Sequence, residues 1–478
     1  MATDSTKAET IAARLTAKMD TGLFPAGSKL PSLRRLSETE ACSVSTVVAA
    51  MDILSTSGRI LSLPRSGIFV RSMETISSKG SRTVPRSLDV VRSRSHSLAR
   101  RVLEMSQDST LAPFHAAIPH PSLLPLASLG RHLQTSLSNG SRLLGSYSSA
   151  AGSPNLRKEL ARFHSSQGHS LVPSDLVITN GCMEALALGI EACSHHDDIV
   201  AIETPTFFGL IALLEAMGRK VVEIPCAPES GLRLDLLEKA TELHKISALV
   251  VSPDVQNPTG SSMDLESRVR LVSIARRQKM TLIEDAVYSS CLFSNQRIPT
   301  LVSLWSEGVI HCSSASKILS PGLRIGWMAP GRWTERVIAL KSSRTLGNPV
   351  ALQDAFAGYL GSPSWPRHLR HFRRSILEQV QTTRNQIQEC FPPGTRISQP
   401  HGGFFLWIEI PGLDSLDLFE RALEKGIGIL PGPVFSSYRE RFRNCLRISC
   451  GAPLDAQLAR KLRELGTLAK ASIRTDDS

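Results

Sequence analysis

Apolar positions change their spacing along the chain, and each change marks a different kind of structure. From Glu9 to about Thr21, Ile11, Leu15 and Met19 fall four apart, the period of a helix with one buried face. Residues 22–27 break that pattern, and Ser32 is placed to cap a second helix. A third helix is predicted from Ser43, and residues 59–70 read as two short strands around a basic turn. From about Ala112 onward, short continuous apolar runs alternate with longer helical patterns. The runs are residues 176–179, 198–202, 220–224, 248–251, 281–285 and 309–312. Strands apolar on both faces predict a mostly parallel sheet covered by helices on either side, an α/β body. Beyond about residue 365 a long helix over 367–388 precedes an apolar strand at 404–410, an amphipathic stretch and a strand at 446–449. That pattern predicts a smaller α+β subdomain.

The chain is therefore multidomain: residues 1–71, a linker over 72–110 that is rich in Ser and Arg and has room for a short helix from Leu98, and a body over 111–478. With 41% hydrophobic and 21% charged residues in 478, the composition is that of ordinary globular domains. No run approaches the ~20 apolar residues of a membrane-spanning helix. The N-terminus carries acidic residues and no apolar core of a secretory signal, so a cytoplasmic protein with no membrane partner is expected. Nine cysteines lie scattered without a C-x-x-C pair, which reads as reduced thiols and no metal site. The net charge of +12 admits an anionic partner. Between Lys79 and Arg101 seven basic residues stand against one acid, which reads as a solvated linker that could add nonspecific phosphate contacts.

The first domain carries Gly22, Gly27, the run Leu30-Pro31-Ser32 and Arg34, then Ser43, Thr46 and Val47, then Gly58 and Ser66-Gly67-Ile68-Phe69-Val70. In this order the motifs resemble the winged helix-turn-helix of the GntR family. The resemblance implies a double-stranded DNA operator as partner. It implies Arg34 and Thr46 at the backbone or bases, Arg65 on the wing, and Ser43 and Ser45 as further candidates at the start of the reading helix. Many members have Arg directly after the first Ser of that helix; Val44 stands here, which leaves the base preference open. The alternative for so small a helical domain is a protein contact.

In the body, Ser313-Ser314-Ala315-Ser316-Lys317 runs on to Arg324 and Trp327. A lysine behind small hydroxyl residues at a strand end can form a Schiff base with an aldehyde, and Ser314 and Arg324 can reach a phosphate on the same ligand. Asp285 closes the strand at 281–285, where a carboxylate can keep a pyridine nitrogen protonated, and Tyr288 follows it. Asn257 lies in Asn-Pro-Thr-Gly after another strand. Gly181 and Cys182 open a helix whose N–H groups suit a phosphate, and Phe207 offers an aromatic face.

Together these motifs resemble the fold-type-I pyridoxal 5′-phosphate (PLP) enzymes of the aspartate aminotransferase superfamily, over roughly residues 112–465. The resemblance implies Lys317 as the residue joined to PLP, Asp285 on the ring nitrogen, Asn257 and Tyr288 on the ring oxygen, and Phe207 stacked on the ring. It implies Gly181, Cys182, Ser314 and Arg324 around the phosphate, and Tyr147 reaching that phosphate across a dimer interface. Arg447 resembles the arginine that grips a substrate α-carboxylate. The loop reads Gly-Cys-Met where Gly-Ser-Gln is common, so its phosphate contacts are expected mainly from backbone. A GntR-like head, a basic linker and this body resemble the MocR subfamily of bacterial regulators. That subfamily implies a head-to-tail homodimer whose PLP site senses an amino acid or amine. Two other readings stay open on sequence: a working aminotransferase, and a dimerisation scaffold without cofactor.

Overall fold

In the computed structural model, the described residues are 7–20, 23–24, 28–56, 59–63, 67–70, 88–93, 97–105, 108–139, 145, 147–294 and 298–473. The chain separates into two compact units, Met1–Ser78 and Lys79–Ser478.

The first unit contains α1 (Lys7–Asp20), α2 (Leu33–Thr39), α3 (Val44–Thr56) and a hairpin of β1 (Ile60–Leu63) with β2 (Gly67–Val70). Its core is the apolar stripe expected from the sequence: Ile11 and Leu15 pack with Leu36, Val47, Met51 and Leu54. Ser32 accepts the Arg35 N–H at 3.4 Å and starts α2, as its hydroxyl predicts. Ser43 accepts the Thr46 N–H at 3.2 Å ahead of α3, and its hydroxyl also lies 2.8 Å from that of Ser45 and 2.7 Å from that of Thr46.

The second unit is built on β3 (Val90–Arg92), β4 (Val177–Thr179), β5 (Ile199–Thr204), β6 (Lys220–Ala227), β7 (Gly231–Leu232), β8 (Ile246–Val251), β9 (Thr281–Asp285), β10 (Val309–Ser314) and β11 (Gly326–Ala329). They order as β3-β6-β5-β8-β9-β10-β11-β4, with β7 added to β6. The five central strands are parallel, while β3, β11 and β4 attach antiparallel at the two sides. Val200, Ala201, Ile202, Leu249 and Ile310 are wholly buried, which is what continuous apolar runs anticipate for a sheet covered on both faces.

In this sheet β3, β7 and β11 were not anticipated. β11 is four residues long and begins two residues after Arg324, and the glycine in its short apolar run, residues 325–329, weakens the strand signal. β3 lies within the stretch read as linker, as does the helix α4 (Ser97–Met105). Their basic residues pair with acids of the body: Arg92 with Asp197 at 3.4 Å and Arg101 with Glu420 at 2.6 Å.

A smaller antiparallel sheet, β12 (Arg396–Ile397), β13 (Phe405–Glu409), β14 (Leu430–Pro431) and β15 (Cys445–Ser449), orders as β12-β13-β15-β14. The helix Ser364–Cys390 leads into it and contains the predicted span, and the helix Ala456–Ala471 packs on that long helix. Among the described residues no helix is long and apolar enough to cross a membrane, and no cluster of His, Cys, Asp and Glu is arranged to hold a metal.

Candidate cofactor site at the strand ends

Parallel strands deliver their C-terminal ends to one edge of the sheet, where open α/β folds bind ligands. Here β5 ends in Glu203 and Thr204, β8 runs into Ser252, β9 ends in Asp285, and β10 ends in Ser314 just ahead of Lys317. Those ends meet in a cleft. It is lined by Lys317, Asp285, Asn257, Tyr288, Phe207, Cys182, Ser314 and Arg324, so eight of the residues singled out from sequence surround one space.

Strand alternation explains why neighbouring acids face different surroundings. Glu284 is 1% exposed and accepts the Leu301 N–H at 2.9 Å and His311 Nδ1 at 2.8 Å. Asp285, one residue on, lines the cleft. Its Oδ1 accepts the Val287 N–H at 3.1 Å and the Cys182 thiol at 3.5 Å. Burial holds its carboxyl above the usual range, opposed by those bonds and by the charge of Lys317.

Lys317 Nζ donates to the Ala117 carbonyl at 2.7 Å and stands 5.5 Å from the centre of the Tyr288 ring. Desolvation, with the Arg447 charge second, pushes its amine down to about 8. A far larger share of the amine is then neutral near physiological pH than on a solvated lysine, and the neutral form is the nucleophile. Burial of the Tyr288 hydroxyl raises its pKa, keeping it a donor.

Gly181 precedes the helix Cys182–Cys193 with φ of 76°, and a Cβ there would sit 2.7 Å from Arg324 Nη2. Only glycine allows the guanidinium and the helix N-terminus to share that corner. Arg324 also has a left-handed φ, 51°, and donates to the Asn180 carbonyl at 3.3 Å.

Arg447 on β15 is 2% exposed and does not line the cleft itself. It reaches the cleft through Asn257, donating to Oδ1 at 3.0 Å, and its other terminal nitrogen donates to the His115 carbonyl at 2.6 Å. Its Nε is buried with no partner among the described residues, the kind of donor that a ligand oxygen completes. Burial lowers its pKa to about 10.

Tyr147 does not join this group. It is 89% exposed and outside the cleft. Ser43 and Arg34 are exposed on the head, Ser45 is exposed beside Ser43, and Thr46 is partly buried on α3. Arg65 lies outside the described residues.

Sequence reasoning missed Glu203, Thr206, Ser252, Ser316 and Ala117, which also line the cleft. Glu203 is 2% exposed, accepts the Ser252 N–H at 3.0 Å, and is pushed up to about 8 by burial. Its position at the end of a predicted strand was the available signal. Ala117 had none, because its segment precedes the first strand of the α/β pattern.

The residues present fit PLP. The cleft combines a desolvated amine, a carboxylate at a strand end, an aromatic face, and a corner where a helix N-terminus, a glycine and a guanidinium meet.

Comparison with known proteins agrees. Residues 127–464 match the aminotransferase class I and II family, and residues 7–70 match the gntR family of bacterial regulatory proteins. The chain is 32% identical over 465 residues to the uncharacterized HTH-type transcriptional regulator YjiR of Escherichia coli K12, spanning 96% of this chain and 98% of that one. It is 30% identical over 382 residues to 2-aminoadipate transaminase of Thermus thermophilus, 78% of this chain and 94% of the other. In the solved structure of LysN, an α-aminoadipate aminotransferase of the same species complexed with N-(5′-phosphopyridoxyl)-L-leucine, 95% of the chain superposes on 79% of this one. The TM-score is 0.72 and the identity 29%. An aminotransferase-like PLP body behind a DNA-binding head, matched end to end by a regulator, places this chain in the aminotransferase class I and II family as a GntR-headed transcriptional regulator of the MocR type.

Proposed function

We propose that the cleft holds PLP on Lys317 and senses an amino acid or related amine, with operator affinity as the output. One observation carries this reading: Lys317 Nζ stands 5.5 Å from the Tyr288 ring centre in the cleft, and Arg447, a buried guanidinium with a spare N–H, donates to the cleft residue Asn257 at 3.0 Å. PLP supplies an aldehyde carbon and an electron-withdrawing ring. Asp285 holds the proton of the ring nitrogen, Asn257 and Tyr288 bond the ring oxygen, and Phe207 covers one ring face. The Cys182 N–H at the helix start receives the phosphate, Gly181, whose own N–H donates to the Thr179 carbonyl at 3.0 Å, lets it come close, and Ser314 and Arg324 lie beside it. Arg447 receives the carboxylate of the incoming ligand. The Cys182 thiol is turned to Asp285, so it orients that carboxylate while its backbone serves the phosphate.

The exposure of Tyr147 supports a head-to-tail homodimer, in which this ring completes the phosphate end of a second copy. Arg34, Ser43, Ser45, Thr46 and the wing residue Arg65 form the operator-facing set, and a DNA-binding role supports a cytoplasmic protein.

The Lys317 pKa gives a prediction of defined sign. Below about 8 the amine is protonated and cannot attack a carbonyl, so capture of PLP is expected to quicken about tenfold per pH unit up to that point and level off above it. Stopped-flow absorbance at limiting PLP measures this. A rate still climbing steeply toward pH ~10, where an unperturbed lysine titrates, would show a solvated amine instead.

The reading as a sensor is tested by measuring operator affinity with PLP alone and with PLP plus a panel of amino acids. Coupling of ~1–3 kcal/mol predicts a change of several-fold to about a hundredfold for the right ligand. Identical affinities throughout would refute it. A second reading, a working aminotransferase, is favoured by the set of reacting groups gathered in the cleft and by the transaminase relative. Steady conversion of an amino acid and a 2-oxo acid at ordinary enzyme rates, with no operator response, would establish it.

A further inference from the structure

Lys341 lies on the helix Thr334–Arg344 and is 0% exposed, outside the lining of the cleft. A buried ammonium is costly unless something compensates its charge. Its Nζ donates to Asn348 Oδ1 at 2.7 Å, a neutral oxygen. Burial lowers its pKa, opposed by the charge of Glu184.

The amide of Asn348 passes the contact on. Its Nδ2 donates to Asn180 Oδ1 at 2.6 Å, and Asn180 immediately precedes Gly181. The backbone carbonyl of Asn348 accepts the Ser148 hydroxyl at 2.9 Å, next to Tyr147. Asn180 is thus held on three sides: its side chain by Asn348, its N–H by Glu184 Oε2, and its carbonyl by Arg324 at 3.3 Å. The amide orientation of Asn348 is fixed from one end only. An ammonium can only donate, so it selects the oxygen of Asn348 and leaves the NH₂ for Asn180. The loop ahead of Gly181 therefore takes one of its three holds from a charge buried behind it.

We infer that Lys341 is a positioning residue for the phosphate end of the cofactor, acting through Asn348 and Asn180. The inference rests on the phosphate end being at Gly181 and Arg324. A role confined to that end predicts an effect on ligands that carry the phosphate and none on the same ring without it. Merely structural damage would weaken both.

The test compares PLP with pyridoxal, by visible absorbance titration of the full chain. Wild type is expected to prefer PLP strongly. Lys341→Met is expected to lose tenfold or more in PLP affinity while pyridoxal binding stays within about twofold. Asn180→Ala breaks the same bridge at its far end, leaves the Lys341–Asn348 bond in place and should give the same loss, which covers the case that Lys341→Met does not fold. A PLP-to-pyridoxal preference unchanged from wild type in either folded variant overturns the inference, as does an equal loss for both ligands. If wild type itself shows no preference for PLP, the placement of the phosphate end falls instead.

Discussion

Replacing Lys317 by Ala is expected to abolish the visible absorbance that PLP gives on the native protein and to let the cofactor wash out on gel filtration. What remains is noncovalent contact around the ring and phosphate, so apparent PLP affinity should fall on the order of a hundredfold or more, about 2.8 kcal/mol. The fold should survive. The lysine amine is already desolvated enough to be pushed down to about 8, so its removal relieves a buried charge rather than a core contact. The melting temperature without PLP should therefore stay close to wild type, while the rise in melting temperature on adding PLP should shrink. Retention of the wild-type band in this variant would move the aldehyde-binding amine elsewhere.

The second large effect is expected at Arg447. Arg447→Gln keeps a polar side chain but loses the charge and the spare Nε donor. Truncating one partner of a buried charged pair costs about 2–5 kcal/mol, so an amino acid should bind about thirtyfold or more weakly to the PLP-loaded variant. The absorbance of bound PLP should persist, with a modest loss because Arg447 also holds Asn257 at 3.0 Å. An amine lacking the carboxylate should bind wild type and variant alike. That contrast separates loss of carboxylate recognition from general damage, and equal weakening of both ligands would show that Arg447 only supports Asn257.

Much of this site could be read in the sequence because fold-type-I chemistry places its groups at strand ends. Lys317, Asp285, Asn257 and Tyr288 each follow a continuous apolar run, and such runs announce buried parallel strands on their own. The same logic failed where structure is made by pairing rather than by local pattern. β3 is three residues long, sits among arginines and becomes a strand only because β6 offers it an open edge. β11 follows Arg324 and owes its pairing to β10 and β4. Glu203 carried a visible signal, a carboxylate closing a predicted strand. A buried acid pushed up to about 8 depends on who surrounds it, which no single strand reveals. Lys341 and Asn348 were invisible for the same reason, since their chain of bonds links residues 180 and 348.

The helix α4 carries a consequence for anyone dissecting the chain. It contributes Ala99 and Val102 to a cluster with Phe208, Trp407, Val434 and Phe435, and Phe207, the aromatic face of the cleft, packs against that cluster. A fragment trimmed to residue 111, where the α/β pattern begins, would lack β3 and α4 and would leave this cluster open on one side. The smallest body that keeps the cleft wall intact begins near residue 88, so cofactor binding by isolated fragments should be judged from that start and not from the later one.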